Sequence, residues 1–142
     1  MQVYKKILVT MDCSPVDNTI IAHISKLAKQ NDAEVFLFHV IHAHTLGQKR
    51  ALSEKAKKYL AAHRATLEST GITVHVVFRS GEPEEEILEE IEENDYDLVA
   101  MATHGHHFLG DILFGSVSDK LKHSITIPLL LIRSQKAPSA QG

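Results

Sequence analysis

Five short apolar runs recur along the chain, and the intervals between them carry helical spacing. The runs are Ile7-Leu-Val-Thr10, Glu34 to Val40, Thr73 to Phe78, Leu98 to Ala102 and Pro128 to Arg133. A short, nearly continuous apolar run is a strand buried on both faces, the situation of a parallel sheet covered by helices. Ser14-Pro15 opens the first helix, with Ile20, Ile24, Leu27 and Ala28 on one face. After a loop from His42 to Gly47, a second helix is expected over Ser53 to Ser69. It places Ala56, Leu60, His63 and Leu67 inward, and Gly71 ends it. Pro83 suits the first position of a third helix that faces Ile87, Leu88 and Ile91 to the core. Val117 to His123 makes the fourth. Right-handed crossovers then leave few topologies. The commonest for this count is an α/β fold of three layers: a doubly wound parallel five-stranded sheet, order 3-2-1-4-5, with helices on both faces.

The chain of 142 residues has a single-domain length, expected to span residues 1–133 with a disordered polar tail over residues 134–142. Its 44% hydrophobic and 23% charged residues are those of an ordinary soluble domain. A net charge of −3 gives no reason to expect nucleic acid or an anionic membrane as partner. The lone Cys13 excludes an intramolecular disulfide and suits a reducing compartment. No apolar run approaches the length of a membrane span, and the segment Met1 to Lys6 lacks the apolar stretch of a signal peptide. The expected location is the cytoplasm.

In a doubly wound sheet, ligands bind beyond the carboxyl ends of the strands where the strand order reverses, here between strands 1 and 4. Asp12 follows strand 1. Strand 4 runs into a loop with glycines at 105, 110 and 115, and then into the fourth helix. Strand, glycine-bearing loop and helix N-terminus form an anion site, because unpaired backbone N–H groups and the helix dipole favour negative charge. Neither G-x-G-x-x-G nor G-x-x-x-x-G-K-[ST] is present. Each residue also has a plainer reading. The glycines are turn residues, Asp12 is an N-cap or turn residue, and Ser116 is an N-cap, a role compatible with phosphate binding. The acidic run from Glu82 to Asp97, ten of eighteen carboxylates, is most simply a solvated helix face and is assigned no chemistry.

Of the ten histidines, His39, His42 and His44 follow strand 2, and His104, His106 and His107 follow strand 4. Both groups stand on the Asp12 rim, so a transition-metal site is an alternative, although the spacings match no zinc signature. His23, His63, His75 and His123 read as structural. A Ser-His-Asp set drawn from Ser116, His107 and Asp12 is demanded by no spacing, and no catalytic residue is assigned.

Ala102-Thr-His-Gly105, nine residues and then Gly115-Ser116 resembles the ATP-binding signature of the universal stress protein family, Gly-x2-Gly-x9-Gly-[Ser/Thr], with Ala102 at its first glycine. Ile7-Leu-Val-Thr-Met-Asp12, Phe38-His-Val40, Gly81-x-Pro83, Asp97-Leu-Val-Ala-Met101 and Ile127-Pro-Leu-Leu-Leu-Ile132 are similar to other parts of that family. The resemblance spans residues 3–133. It implies that Thr10, Met11, Asp12 and Val40 hold adenine and ribose. Ala102, His104, Gly105 and His107 with their loop, and Gly115-Ser116-Val117-Ser118, would cradle the phosphates. ATP, with Mg or Mn on its phosphates, is the implied ligand, and slow hydrolysis the most activity expected. The family also implies a homodimer through the fifth strand, residues Leu129, Leu130, Leu131 and Ile132. The alternatives are a stress protein of the same fold that acts by protein contacts without nucleotide, and a metal-dependent hydrolase using the histidine rim.

Overall fold

Strand β1 (Lys6–Thr10) lies at the centre of a sheet in which β2 (Glu34–Ile41) and β4 (Leu98–Thr103) flank it in parallel. The edges are β3 (Val74–Ser80), beside β2, and β5 (Leu129–Arg133), beside β4. The order is therefore β3-β2-β1-β4-β5, as the alternation of apolar and helical segments predicts. A computed structural model describes residues 3–103 and 120–133 of the chain. The polar tail and the first turn of the predicted fourth helix, residues 117–119, lie outside them; residues 120–124 are helical.

Successive residues of β1 serve opposite faces. Ile7 and Val9 join a core shared with Ile20, Ile24 and Ala28 of α1 (Val16–Asn31) and with Leu60 and Leu67 of α2 (Leu46–Glu68). Leu8 faces a second core with Phe38, Val99, Met101, Leu121 and Ile87, the last from α3 (Pro83–Glu93). Every one of these side chains is at least nine-tenths buried, a gain of about 1.5–3 kcal/mol for each large aliphatic group. Side-chain clamps fix the strand ends. Asp97 accepts from the N–H groups of Lys5 and Lys6 at 2.8 and 2.9 Å, and Asn31 accepts from Val3 and Tyr4 at 2.9 and 3.1 Å.

Two expectations are corrected. Helix α2 begins at Leu46, not at Ser53. The hydroxyl of Thr45 accepts from the N–H of Gln48 at 3.0 Å, and the Gln48 side chain accepts from the N–H of His44 at 2.7 Å. This reciprocal cap starts the helix one residue before Gly47, whose poor propensity suggests a loop. The acidic run, in turn, is more than a solvated face. Arg79 on β3 donates to Glu86, Glu89, Glu90 and Glu93 at 2.8–3.2 Å, and so fastens α3 to the edge of the sheet. Gly81 makes this approach possible. With φ of +142°, a Cβ there would stand 2.7 Å from Oε2 of Glu86.

Candidate functional site

A cavity of about 270 Å³ opens at the carboxyl ends of β1 and β2. Thr10, Met11 and Asp12 form one wall and Phe38, His39, Val40 and His42 another; Leu52 of α2 and Pro83 and Ile87 of α3 close the sides. Four residues assigned from the sequence to adenine and ribose, namely Thr10, Met11, Asp12 and Val40, thus line one space. Ala102 does not join them. It is buried in the core shared with α1, on the same strand face as Leu98 and Ala100. His104, Gly105, His107, Gly115, Ser116, Val117 and Ser118 lie outside the described residues.

The walls are mostly apolar, with a few polar groups of defined state. The Thr10 hydroxyl belongs to a residue only 4% exposed, and it has no hydrogen-bond partner among the described residues. A buried hydroxyl without a partner is destabilised by about 1–3 kcal/mol, so it is suited to a ligand that offers a donor or acceptor. The His39 Nδ1 lies 2.7 Å from the carbonyl oxygen of Met11. A carbonyl only accepts, so Nδ1 carries the proton. Burial lowers the pKa of this histidine, which makes the ring neutral and Nε2 an acceptor. His42 donates through Nδ1 to the carbonyl of Gly81 at 3.2 Å and lies 3.5 Å from a carboxylate oxygen of Glu82.

The segment after β1 is held from several directions. Asp12 is not the N-cap of α1, a position occupied by Pro15 without a side-chain cap. Its carboxylate accepts instead from the Ser14 hydroxyl at 2.6 Å. Tyr59 of α2 donates its hydroxyl to the carbonyl of Ser14 at 2.5 Å. Cys13 adopts φ of +61°, a left-handed conformation. Beneath it, Asp17 is fully buried and accepts from the N–H groups of Asp12 and Cys13. Sequence reasoning missed Asp17; an acidic residue two positions after Pro15 reads only as a favourable first-turn charge. Burial and the neighbouring Asp17 push the Cys13 thiol up to about 12, and burial does the same to the Tyr59 hydroxyl. Both stay protonated at neutral pH, and neither is a nucleophile.

Among the described residues, no three His, Cys, Asp or Glu side chains are grouped to hold a metal ion, and no helix is long and apolar enough to cross a membrane. The site is therefore a largely apolar cavity with a hydroxyl, a neutral imidazole and a carboxylate on its walls. Such a set is able to take a flat, mostly apolar group and to hydrogen-bond polar atoms at its edge.

The model of the universal stress protein family matches residues 3–133. The universal stress protein MJ0531 of Methanocaldococcus jannaschii is 29% identical over 94% of this chain and 84% of its own length. The solved structure of MJ0577 from the same organism superimposes with a TM-score of 0.80 at 29% identity, covering 95% of this chain and 99% of that one. A universal stress protein from Archaeoglobus fulgidus, solved in complex with dAMP, shares the fold with a TM-score of 0.67 at 19% identity, over 92% of this chain and 99% of that one. The strand order, the two-sided core and a match over nearly the whole length agree, and the chain belongs to the universal stress protein family.

Proposed function

We propose that this protein binds an adenine nucleotide, ATP with Mg or Mn on its phosphates, and acts as a regulator through nucleotide occupancy, with at most slow hydrolysis. The observation that carries the reading is the cavity lined by Thr10, Met11, Asp12 and Val40. Its volume of about 270 Å³ lies just under the roughly 300–1,000 Å³ of small-molecule pockets, a size for a nucleoside whose phosphates extend outward. Met11, Phe38, Val40 and Ile87 offer apolar faces to a purine. Thr10 and His39 offer hydrogen bonds to its edge, and the Asp12 carboxylate accepts from a ribose hydroxyl. A family member in complex with dAMP adds support for an adenine ligand. The phosphates are assigned to the glycine loop, Gly105 and Gly115-Ser116, on the resemblance of its spacing to the ATP-binding signature. The working form we propose is a homodimer paired through β5, in the cytoplasm, where a single unpaired cysteine stays reduced.

Calorimetric titration with Mg-ATP tests the reading. The wild type should bind, and Gly115→Val should weaken binding at least tenfold, about 1.4 kcal/mol, by placing a branched side chain where phosphate approaches the backbone. No heat from the wild type, or an unchanged affinity in the variant, refutes it.

A further inference from the structure

We propose that Asp17 is a positioning residue of the nucleotide site: its buried carboxylate holds the backbone of Asp12 and Cys13 in the turn that presents Asp12 to the ribose. The inference rests on the nucleotide reading above and adds to it a residue that does not line the cavity.

Asp17 sits in the first turn of α1, fully buried. One oxygen accepts from the N–H of Asp12 at 2.9 Å; the other accepts from the N–H of Cys13 at 2.8 Å and stands 3.2 Å from that of Asp12. These are charge-assisted bonds, stronger than neutral ones. They hold a turn that opposes its own residue type, since Cys13 at φ of +61° stands where glycine is the usual occupant. Other ties of the segment act on other groups: His39 on the carbonyl of Met11, Tyr59 on that of Ser14, and the Ser14 hydroxyl on the Asp12 carboxylate. Among the described residues, Asp17 grips the two N–H groups between the Met11 and Ser14 carbonyls. Without it, both groups would lose this charged acceptor and Cys13 would relax toward negative φ. The Asp12 carboxylate, which lines the cavity, would turn with it.

The grip depends on ionisation. A carboxylate serves both N–H groups, whereas a protonated carboxyl gives up acceptor capacity on one oxygen. Burial pushes Asp17 up to about 6 and the charge of Asp12 adds to this, while the donated N–H groups pull it down. The other groups facing this cluster are the Cys13 thiol, the Tyr59 hydroxyl and Lys55 from α2, and His39 from β2. Cys13 and Tyr59, both pushed up to about 12, stay protonated between pH 5 and 7.5.

The experiment pairs two readouts on the full chain, wild type and Asp17→Asn. Proton–nitrogen NMR of the ligand-free protein from pH 5 to 7.5 follows the Asp12 and Cys13 amides, and calorimetry follows Mg-ATP affinity over the same range. In the wild type, both amides should shift with a common midpoint near 6, and affinity should fall about tenfold toward pH 5. Asp17→Asn, whose amide keeps one acceptor oxygen, should bind about tenfold more weakly at pH 7.5 and lose the amide transition. An Asp17→Asn protein that binds like the wild type at pH 7.5 overturns the proposal. Should that variant fail to fold, wild-type amides that stay unmoved across the range overturn it. A wild type that binds no ATP while its amides still titrate refutes the nucleotide reading and the positioning role with it, and leaves the hydrogen bonds of Asp17 established.

Discussion

Nη1 of Arg79 donates to Oε1 of Glu90 at 3.0 Å, and the other oxygen of Glu90 accepts from the Tyr96 hydroxyl at 2.7 Å. Glu90 is one of the few charged residues in the interior. Its carboxylate is tolerated there because a guanidinium and a phenol both donate to it. Hydrogen bonds to Glu86 and Glu90 hold the Arg79 cation well above the ordinary arginine range. This clasp joins the edge strand to α3, the helix whose Pro83 and Ile87 close one side of the cavity. The packing of the sheet edge thereby bears on the shape of the site.

Arg79→Met should destabilise the fold by about 2–4 kcal/mol, because it leaves the Glu90 carboxylate buried without its cation. Equilibrium unfolding in urea measures this. A loss below about 0.5 kcal/mol would place the clasp among surface ion pairs of little consequence.

The strand order was legible because β1, β2 and β4 are buried on both sides and so appear in the sequence as unbroken apolar runs. Pro83 marked a helix start for a backbone reason that requires no tertiary context. The start of α2 was hidden, since its cap depends on the Gln48 side chain reaching back, and Gly47 beside it suggests a turn. The role of Arg79 was hidden for a different reason. Its partners lie 7 to 14 residues ahead, across a turn at Gly81, and a run of glutamates looks the same whether it faces solvent or a single cation. Of the site, Asp12 was legible from its place after strand 1 at the point where the strand order reverses, whereas Thr10, Met11 and Val40 were legible only through the family's motifs. Leu52, Pro83 and Ile87 complete the cavity from helices whose approach no local pattern encodes.

Stability should carry the signature of Asp17 in its pH dependence. The folded carboxyl titrates at about 6, above the ordinary 3.8, so the folded state holds this proton more tightly than the unfolded chain does. Its stabilising contribution is fully present below about pH 4 and is lost as pH rises through 6, at most about 3 kcal/mol for a shift of about two units. The wild type should therefore gain about 2 kcal/mol relative to Asp17→Asn when unfolding is measured at pH 4.5 instead of 7.5. A difference between the two proteins that does not vary with pH contradicts this.

Ala102 stands where the family signature has glycine. It is 2% exposed, pairs with Ile132 across β4 and β5, and does not belong to the residues with positive φ. The methyl group is thus unstrained and serves the core. Ala102→Gly should lower stability by about 1 kcal/mol, through backbone entropy and a lost methyl contact, and should change Mg-ATP affinity less than threefold. Binding tightened tenfold by the variant would show that the methyl crowds the ligand instead.

The last prediction concerns the edge at β5. Strand β4 occupies one side of β5, and among the described residues no further strand occupies the other. An apolar edge with open N–H and C=O groups is a template for another strand, and antiparallel pairing with the same strand of a second copy satisfies both under two-fold symmetry. The side chains support this. Leu130 and Ile132 pack against the core shared with α1 and Leu129 against the second one, whereas Leu131 is 40% exposed. A substitution at Leu130 would therefore disturb folding as well as pairing, and Leu131 separates the two effects. Leu131→Lys should leave the thermal unfolding midpoint of the monomer fold nearly unchanged and shift the protein from dimer toward monomer in sedimentation equilibrium at micromolar concentration. A wild type that sediments as a monomer there, or a Leu131→Lys variant as dimeric as the wild type, rules out pairing through this strand.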